Sequence, residues 1–566
     1  MKSFIITSTK KSSGKTIISI GLSALLKAQK KSFSVFKKGP DYIDPIWLSK
    51  ASGKDCFNLD FFTMQKKEII STFNKYSKNC DLALVEGNKG LFDGLSLDGS
   101  DSNASLAELL NLRVILVIDC NGMTRGIAPL INGYKSFNKK IKYQGVILNN
   151  VNGDRHQSKL VASIEKYTDF KIIGSIWRDS SLSIQEQHLG LVPSFAHKQT
   201  AQKIRGIRDV MKKSVDIEIF NNKVNKKKIS ARIITKKKYA GLKIGIMRDE
   251  AFGFYYKDDL EKFTSLGSKL VRIDSVNDKK LPKIDALLIG GGFPELCAYK
   301  LSKNKSMLNS VNEFIESHYP VYAECGGLMY LTKKIKYNSK IYPMVGVING
   351  ETQMFSKPVG RGYVMLETSV DHPWLGNSLP INCHEFHHSK LRLKEPKYKY
   401  AYRVKRGYGI DGKHEGLIYK NLLATYNHLR DTKQTNWVDK FLSFVVKTNM
   451  KQKQIFEISD SAALQISKAS EMAESKDWPL RIAVDVKDGK FNYLMGFDNP
   501  KEEDLRLKIN NIEILISPDS MINLKNCKLD YVELDKGQSE FIFLNPNDPS
   551  YKAPQDDLDE NVTHDL

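Results

Sequence analysis

Apolar and polar positions alternate in blocks over the first 190 residues. Short β-type apolar runs at 4–6, 82–85, 114–118 and 145–148 are separated by longer stretches of helical spacing, such as 17–28 and 102–110. Strand and helix periods differ, so the blocks mark different elements, and their alternation predicts a parallel sheet covered by helices on both faces. The pattern fades over 196–240, which is basic, poor in turn glycines and suited to an inter-domain linker or helix. It resumes with LKIGIM at 242–247, a helical stretch at 260–266 and apolar runs at 285–289 and 321–323, a second α/β unit reaching about residue 445. From residue 456 a short helical pattern at 461–473 precedes strand-like runs at 480–486, 512–516, 531–534 and 541–544, which predict a small β-rich domain. The expected division is 1–195, a linker at 196–240, then 241–445, 455–550 and an acidic, disordered tail at 551–566.

Composition adds limits. At 566 residues the chain is too long for one core, and 41% hydrophobic with 27% charged residues is ordinary for a globular protein. No window approaches the roughly 20 apolar residues of a membrane helix, and no signal peptide is read at MKSFIITSTKK. Seven scattered cysteines without a CxxC pair fit a reducing cytoplasm, not a disulfide framework or a zinc site. Net charge is +23, but the lysines are spread and no nucleic-acid motif accompanies them, so no nucleic-acid or membrane partner is expected; an anionic substrate would profit from the field.

Two constellations carry chemistry. SSGKT follows the first strand and opens a helix, where backbone N–H groups of Ser13 and Gly14 can cradle phosphates, Lys15 can reach the β/γ-phosphates and Thr16 can ligate Mg²⁺. The first glycine of a full GxxxxGK[ST] loop is replaced by Thr9. Two acidic clusters lie at the carboxyl ends of apolar strands, Asp41 and Asp44 in KKGPDYIDP and Glu86 and Asp93 in EGNKGLFDG, where α/β sheets bind ligands and where a Mg²⁺-triphosphate needs carboxylates. The second constellation is PVYAECGGLMYL. Cys325 stands between a strand and a helix with glycines behind it, the arrangement of a nucleophile elbow. Backbone N–H groups of Gly290, Gly291 and Gly292, with Gly326, are candidates for an oxyanion and glutamine pocket, and His428 and His384 are candidate bases.

These residues resemble a known family. FKKGPDYIDP, NLD at 58–60, EGNKGLFDG, GVILNNVNGDRH, HLGLVP, DEAFGFYY, GGGFPEL, YAECGGLMYL, CHEFHHS and ATYNHL occur in the order found in cobyrinic acid a,c-diamide synthases, tetrapyrrole amidases of the cobalamin pathway. The resemblance spans residues 1 to about 435 and implies a P-loop-type ATP domain similar to dethiobiotin synthetase, followed by an α/β class I glutamine amidotransferase domain. It implies Cys325 as nucleophile and His428 as its base; Ser13, Gly14, Lys15 and Thr16 on ATP; Thr16, Asp44 and Glu86 on Mg²⁺; and Asp41, Tyr42, Asp44 and Asp93 around the substrate and its acyl phosphate. ATP and L-glutamine are then substrates, and the reaction amidates the a- and c-side-chain carboxylates of a polycarboxylate tetrapyrrole. The chain departs from the family pattern at Ser12, where a loop glycine is usual; at Leu48 and Arg430, where histidines are usual; and at Gln187, where arginine is usual.

ISDSAALQIS, LRIAVDV, FNYLMGFDNP, LDYVEL and FIFLNPND resemble an A-type iron–sulfur carrier domain. Such carriers hold metal with three cysteines, one after the LRIAVDV-type strand and a CxC near the C-terminus. Here neither is present, so no iron–sulfur cluster is expected and Cys527 reads as a core residue. Cysteine-less A-type proteins and a sirohaem-amidating relative of the family both occur with dissimilatory sulfite reductase. The resemblance therefore keeps sirohaem or its precursor as the alternative substrate, and a protein partner for the last domain. A ParA-like ATPase or a non-catalytic scaffold is the remaining alternative, and ECGG with HEFH speaks against it.

Overall fold

The computed structural model describes all residues except 185, 188–189, 192–199, 221–236, 395–396, 473–477, 488–489, 502–503, 518–519, 521–522, 536 and 552–566. The expected acidic tail thus lies almost wholly outside the described residues, as does much of the 196–240 segment.

The first domain is a seven-stranded sheet of β1 (Lys2–Ser8), β2 (Phe33–Lys38), β3 (Cys56–Leu59), β4 (Leu82–Glu86), β5 (Arg113–Asp119), β6 (Tyr143–Val151) and β7 (Ile172–Trp177), in the order β3-β2-β4-β1-β5-β6-β7. Every pairing is parallel, so the strands need helical crossovers, and the central ones are buried on both faces. That is why β1 and β4 read as unbroken apolar runs. Parallel pairing also brings the carboxyl ends of β1, β2 and β4 to one edge.

Helix α1 (Lys15–Ala28) starts behind Gly14, whose φ of 88° and closeness to Asn149 both require glycine: a Cβ there would lie 2.2 Å from Asn149 Nδ2. Part of the segment expected as linker is the helix Thr200–Ser214, which buries Ile207 and Met211 against α1. The contact is close, since a Cβ on Gly21 would stand 2.3 Å from Met211 Cγ. This helix belongs to the first domain's core.

The second domain has a nine-stranded mixed sheet. Strands Lys269–Ile273, Lys243–Met247, Ala286–Ile289, Val321–Glu324 and Leu422–Thr425 are parallel; His414–Tyr419, Lys399–Arg406, Gly360–Thr368 and Pro380–His387 continue it antiparallel. The two domains pack into each other. Phe254, Tyr256 and Phe293 join the first domain's core, Tyr363 OH donates to Asp60 Oδ1 (2.6 Å), and Asn382 Nδ2 donates to the Phe62 carbonyl (3.0 Å).

The helix Trp437–Ile455 leads directly into the strand Phe456–Ile458 of the third domain, bridging the stretch between the expected boundaries at 445 and 455. That domain carries the helix Asp460–Met472, a four-stranded sheet and a three-stranded sheet. They enclose their own core, in which Cys527 is wholly buried.

Candidate active site

The edge where β1, β2 and β4 end holds the phosphate loop. Lys15 Nζ donates to Ser8 Oγ (2.9 Å), and burial lowers its pKa to about 8. Asn149 Nδ2 donates to the Ser13 carbonyl (3.0 Å), and Ser12 adopts a φ of 61°, so a serine takes up the positive φ that a loop glycine would supply.

Behind the loop, α1 presents Thr16 to both acidic clusters. Its hydroxyl lies 2.6 Å from Glu86 Oε1 and 3.3 Å from Asp44 Oδ2. Lys37, unrecognised in the sequence, sits among them with its Nζ 2.5 Å from Asp44, 3.0 Å from Glu86 and 3.9 Å from Asp41. Burial opposes its charge, but the three carboxylates outweigh that and raise its pKa. Burial raises Asp41 to about 7, aided by Asp44, whereas Asp44 itself is held below its usual range by Lys37 against the effect of burial. Thr16, Asp44 and Glu86 thus converge, and Glu86 Oε2 is fully buried without a partner. Hard oxygens with a free buried lone pair fit Mg²⁺. Asp93 is differently placed: its Oδ2 accepts from the Gly90 N–H (2.9 Å) and stabilises its own loop.

The second centre lies at the end of Val321–Glu324. Cys325 has φ 49° and ψ −101°, a strained conformation for a residue with a Cβ, and is 5% exposed. Its N–H donates to the Thr425 carbonyl (2.6 Å), which fixes the turn. His428 is wholly buried, and burial opposes its protonation. Hydrogen bonds to Cys325 and Glu324 prevail and raise it to about 10, so His428 is held protonated against the Cys325 sulfur.

Glu324 completes the arrangement, a residue sequence reading passed over although it stands directly before the cysteine. Its Oε2 faces His428 Nδ1 at 3.2 Å, and its Oε1 accepts from Tyr322 OH (2.7 Å) and the Leu429 N–H (2.9 Å). His384 stacks on His428 with ring centroids 4.9 Å apart, and Tyr256 OH lies 3.3 Å from its Nδ1; burial keeps it neutral. Of the two candidate bases, His428 is therefore the one that meets the thiol.

The glycines gather around this pair. A Cβ on Gly291 would lie 2.5 Å from His428 Cε1, and one on Gly326 would lie 3.1 Å from the Gly292 nitrogen. The Gly290 N–H is taken by Tyr255 OH (2.8 Å), so that glycine has no donor left for an oxyanion.

Tyr42 joins the centres. Asp41 and Asp44 flank it in the first, while its ring stacks on Phe254 (5.4 Å, 2° between planes) and lies 5.1 Å from that of His428. A cavity of about 360 Å³ beside it is lined by Asp41 and Asp93 from one domain and by His384, Phe386 and His428 from the other. Arg430, at the position where the family usually has a second histidine, is buried; it reaches the first domain through the Asn58 carbonyl (2.7 Å) and pairs with Asp258 of its own domain (2.7 Å).

Comparison with known proteins agrees with this two-centre layout. Residues 4–192 match the CobQ/CobB/MinD/ParA nucleotide binding domain and residues 243–434 the CobB/CobQ-like glutamine amidotransferase domain. Cobyrinate a,c-diamide synthase of Magnetococcus marinus is 37% identical over 441 residues, 76% of this chain and 94% of that protein; that of Picrophilus torridus is 38% identical over 434 residues, 76% of this chain and 95% of that protein. Among solved structures, Escherichia coli SufA, involved in biosynthesis of iron–sulfur clusters, aligns with 17% of this chain and 88% of its own at 21% identity and a TM-score of 0.15. With such relatives matched along nearly their whole length, the chain belongs to the cobyrinate a,c-diamide synthase family.

Proposed function

We propose that this protein converts the a- and c-side-chain carboxylates of a tetrapyrrole to amides, using ATP and glutamine. The observation that carries the reading is the cavity shared by the two centres, whose wall holds His428 on one side and Asp41 with Asp93 on the other. In the first centre a substrate carboxylate oxygen attacks the γ-phosphorus of ATP, ADP departs, and an acyl phosphate forms. Ser13, Gly14 and Lys15 hold the phosphates; Asp41, Tyr42 and Asp93 border the carboxylate. Thr16, Asp44 and Glu86 would hold Mg²⁺, which supplies charge neutralisation on the phosphates. In the second centre the Cys325 thiolate attacks the glutamine amide carbon, His428 gives its proton to the departing nitrogen, and ammonia leaves; water then releases glutamate from the thioester. Gly291, Gly292 and Gly326 leave room for the substrate and the oxyanion. Ammonia attacks the acyl phosphate carbon, and phosphate departs with the amide formed.

Incubation of the purified protein with cobyrinate, ATP, Mg²⁺ and glutamine tests this directly. Two successive amidations by mass spectrometry, with glutamate and ADP formed in step, are expected; ATP and glutamine turnover without any amide product would overturn it.

A second reading has its own support. The third domain resembles an A-type carrier that lacks the cysteine ligands, and its remaining Cys527 is buried in the core. On that reading the substrate is sirohaem or its precursor, and the domain contacts a protein partner rather than carrying a cluster. The same assay with sirohaem separates the two, since the preferred substrate shows the higher kcat/KM.

A further inference from the structure

The chamber between the two centres contains positive charge that neither half of the reaction uses. Lys38, next to Lys37 on β2, is only 5% exposed, yet its Nζ donates to a neutral partner, Asn88 Oδ1 (3.1 Å), and lies 6.0 Å from the Phe61 ring. Among the described residues it forms no ion pair. Burial of an ammonium without a counter-ion is costly, and an arriving anion would offset that cost.

The acids nearby are already engaged. Asp60 accepts from Tyr363 OH and from Thr63 Oγ1 (2.9 Å), and Asp101 accepts from the Leu95 and Ser96 N–H groups. Across the chamber, Arg361 comes from the glutaminase domain. Its guanidinium lies 5.5 Å from the Phe386 ring and forms no ion pair among the described residues. Both cations line the same cavity as Asp41 and Asp93.

The rim has a second property. Leu95 borders the chamber at 45% exposure, and Leu97, two residues along the same loop, is fully exposed. Two cations without an ion pair among the described residues, in a hollow edged by exposed leucines, fit a ligand that is anionic at its arms and apolar on its ring face.

We propose that Lys38 and Arg361 hold a carboxylate arm of the tetrapyrrole at the mouth of the shared chamber, one residue from each domain, while the Leu95–Leu97 loop meets the macrocycle. This rests on the proposed amidation. A carboxylate held by both domains is oriented between the phosphate loop and the source of ammonia, and substrate binding then draws on both halves of the protein. Phosphate and carboxylate recognition favour an Arg with free donors and a Lys as point charge.

The test measures KM for tetrapyrrole with ammonium as nitrogen source, KM for glutamine, and the dissociation constant of ATP for Lys38→Met, Lys38→Arg and Arg361→Met. Lys38→Met and Arg361→Met are expected to raise the tetrapyrrole KM tenfold or more, with glutamine KM and ATP affinity within twofold; Lys38→Arg restores most of the loss. Unchanged ATP affinity also shows that the variants fold. An unchanged tetrapyrrole KM overturns the proposal, and so does a rise confined to the KM for glutamine, which would assign Arg361 to the glutamine α-carboxylate, or a loss confined to ATP. If the wild type amidates neither cobyrinate nor sirohaem, fluorescence titration with uroporphyrin, a polycarboxylate tetrapyrrole, separates the two ideas. Binding that Lys38→Met weakens keeps this proposal and removes the amidation, whereas equal binding by wild type and variant removes the proposal.

Discussion

Glu324→Gln isolates the contribution of the carboxylate that faces His428. Glutamine has almost the same shape, and its carbonyl oxygen still accepts from Tyr322 OH and the Leu429 N–H, so the fold around it is kept. What changes is the side facing His428 Nδ1, 3.2 Å away, where an acceptor oxygen becomes an N–H donor. A donor there demands an unprotonated Nδ1 and cannot support an imidazolium. A hydrogen bond to a charged group contributes about 1.5–3 kcal/mol, and 1.36 kcal/mol is a factor of ten in rate, so kcat/KM for glutamine hydrolysis should fall roughly 10- to 100-fold. Synthesis from free ammonium should be unchanged. The pH dependence provides a readout that a packing defect would not move. Folding raises the His428 pKa from 6.5 to about 10, so the stability that its protonation contributes is complete below 6.5 and is lost as pH rises through about 10. Urea midpoints of the wild type should therefore fall between pH 7 and 10, and those of the variant should fall less. Glutaminase kinetics and a pH-dependent unfolding series decide the matter. An unchanged kcat/KM together with an unchanged pH slope would refute the role of Glu324 as the group positioning His428.

Four further outcomes follow from the same geometry. Cys325→Ala should abolish glutamine use while keeping ammonium-driven amidation, checked by coupled ADP release; loss of both in a folded protein would contradict the division between centres. Gly291→Ala places a methyl group 2.5 Å from His428 Cε1 and should cost the glutaminase at least tenfold without changing ATP affinity in equilibrium titration. Glu86→Gln should lower turnover more than nucleotide affinity if the carboxylate beside Thr16 holds Mg²⁺ as proposed, and a Mg²⁺ titration of the rate should then show a raised half-saturation. Lys37→Met leaves Asp41, Asp44 and Glu86 without their shared cation, so their mutual repulsion should lower the thermal midpoint at pH 8 more than at pH 5, by calorimetry.

Strands with uniform apolar character were readable from the sequence, and charges buried within a strand were not. The runs at 82–85 and 321–323 lie within Leu82–Glu86 and Val321–Glu324 because both are buried on two faces. β2, FSVFKK, was read as the apolar strand before the first acidic cluster, but the burial of Lys37 and Lys38 on it was not, because a polar residue normally signals solvent. Their burial depends on Asp41 and Asp44 just after β2 and on Glu86 and Asn88 brought from β4 and the loop after it, and the second pair is outside any local pattern. The antiparallel half of the second sheet was missed for a different reason: its strands are half-exposed and interleave polar residues, as in burial of alternate positions along Gly360–Thr368. Of the site, Cys325 and Thr16 were legible because local motifs carry them. Glu324 was adjacent to a motif but useful only through a histidine 104 residues away. Arg361 and Lys38 come together only because two domains close on one cavity.

The four residues Asp41 to Asp44 touch both centres. Asp41 and Asp44 face the Lys37 cluster, and the tyrosine between them reaches across the domain boundary to the rings of Phe254, Tyr256 and His428. Helix α2 (Ile43–Ser52) begins immediately after this tyrosine, and Asp41 Oδ1 accepts from the Ile43 and Asp44 N–H groups, which fixes the turn between them. Ammonia is a small neutral nucleophile that bulk water would protonate and dilute. Tyr42 lines the shared cavity between Asp41 and Asp93 on one side and His428 on the other, so a wall that both centres share borders the space between them.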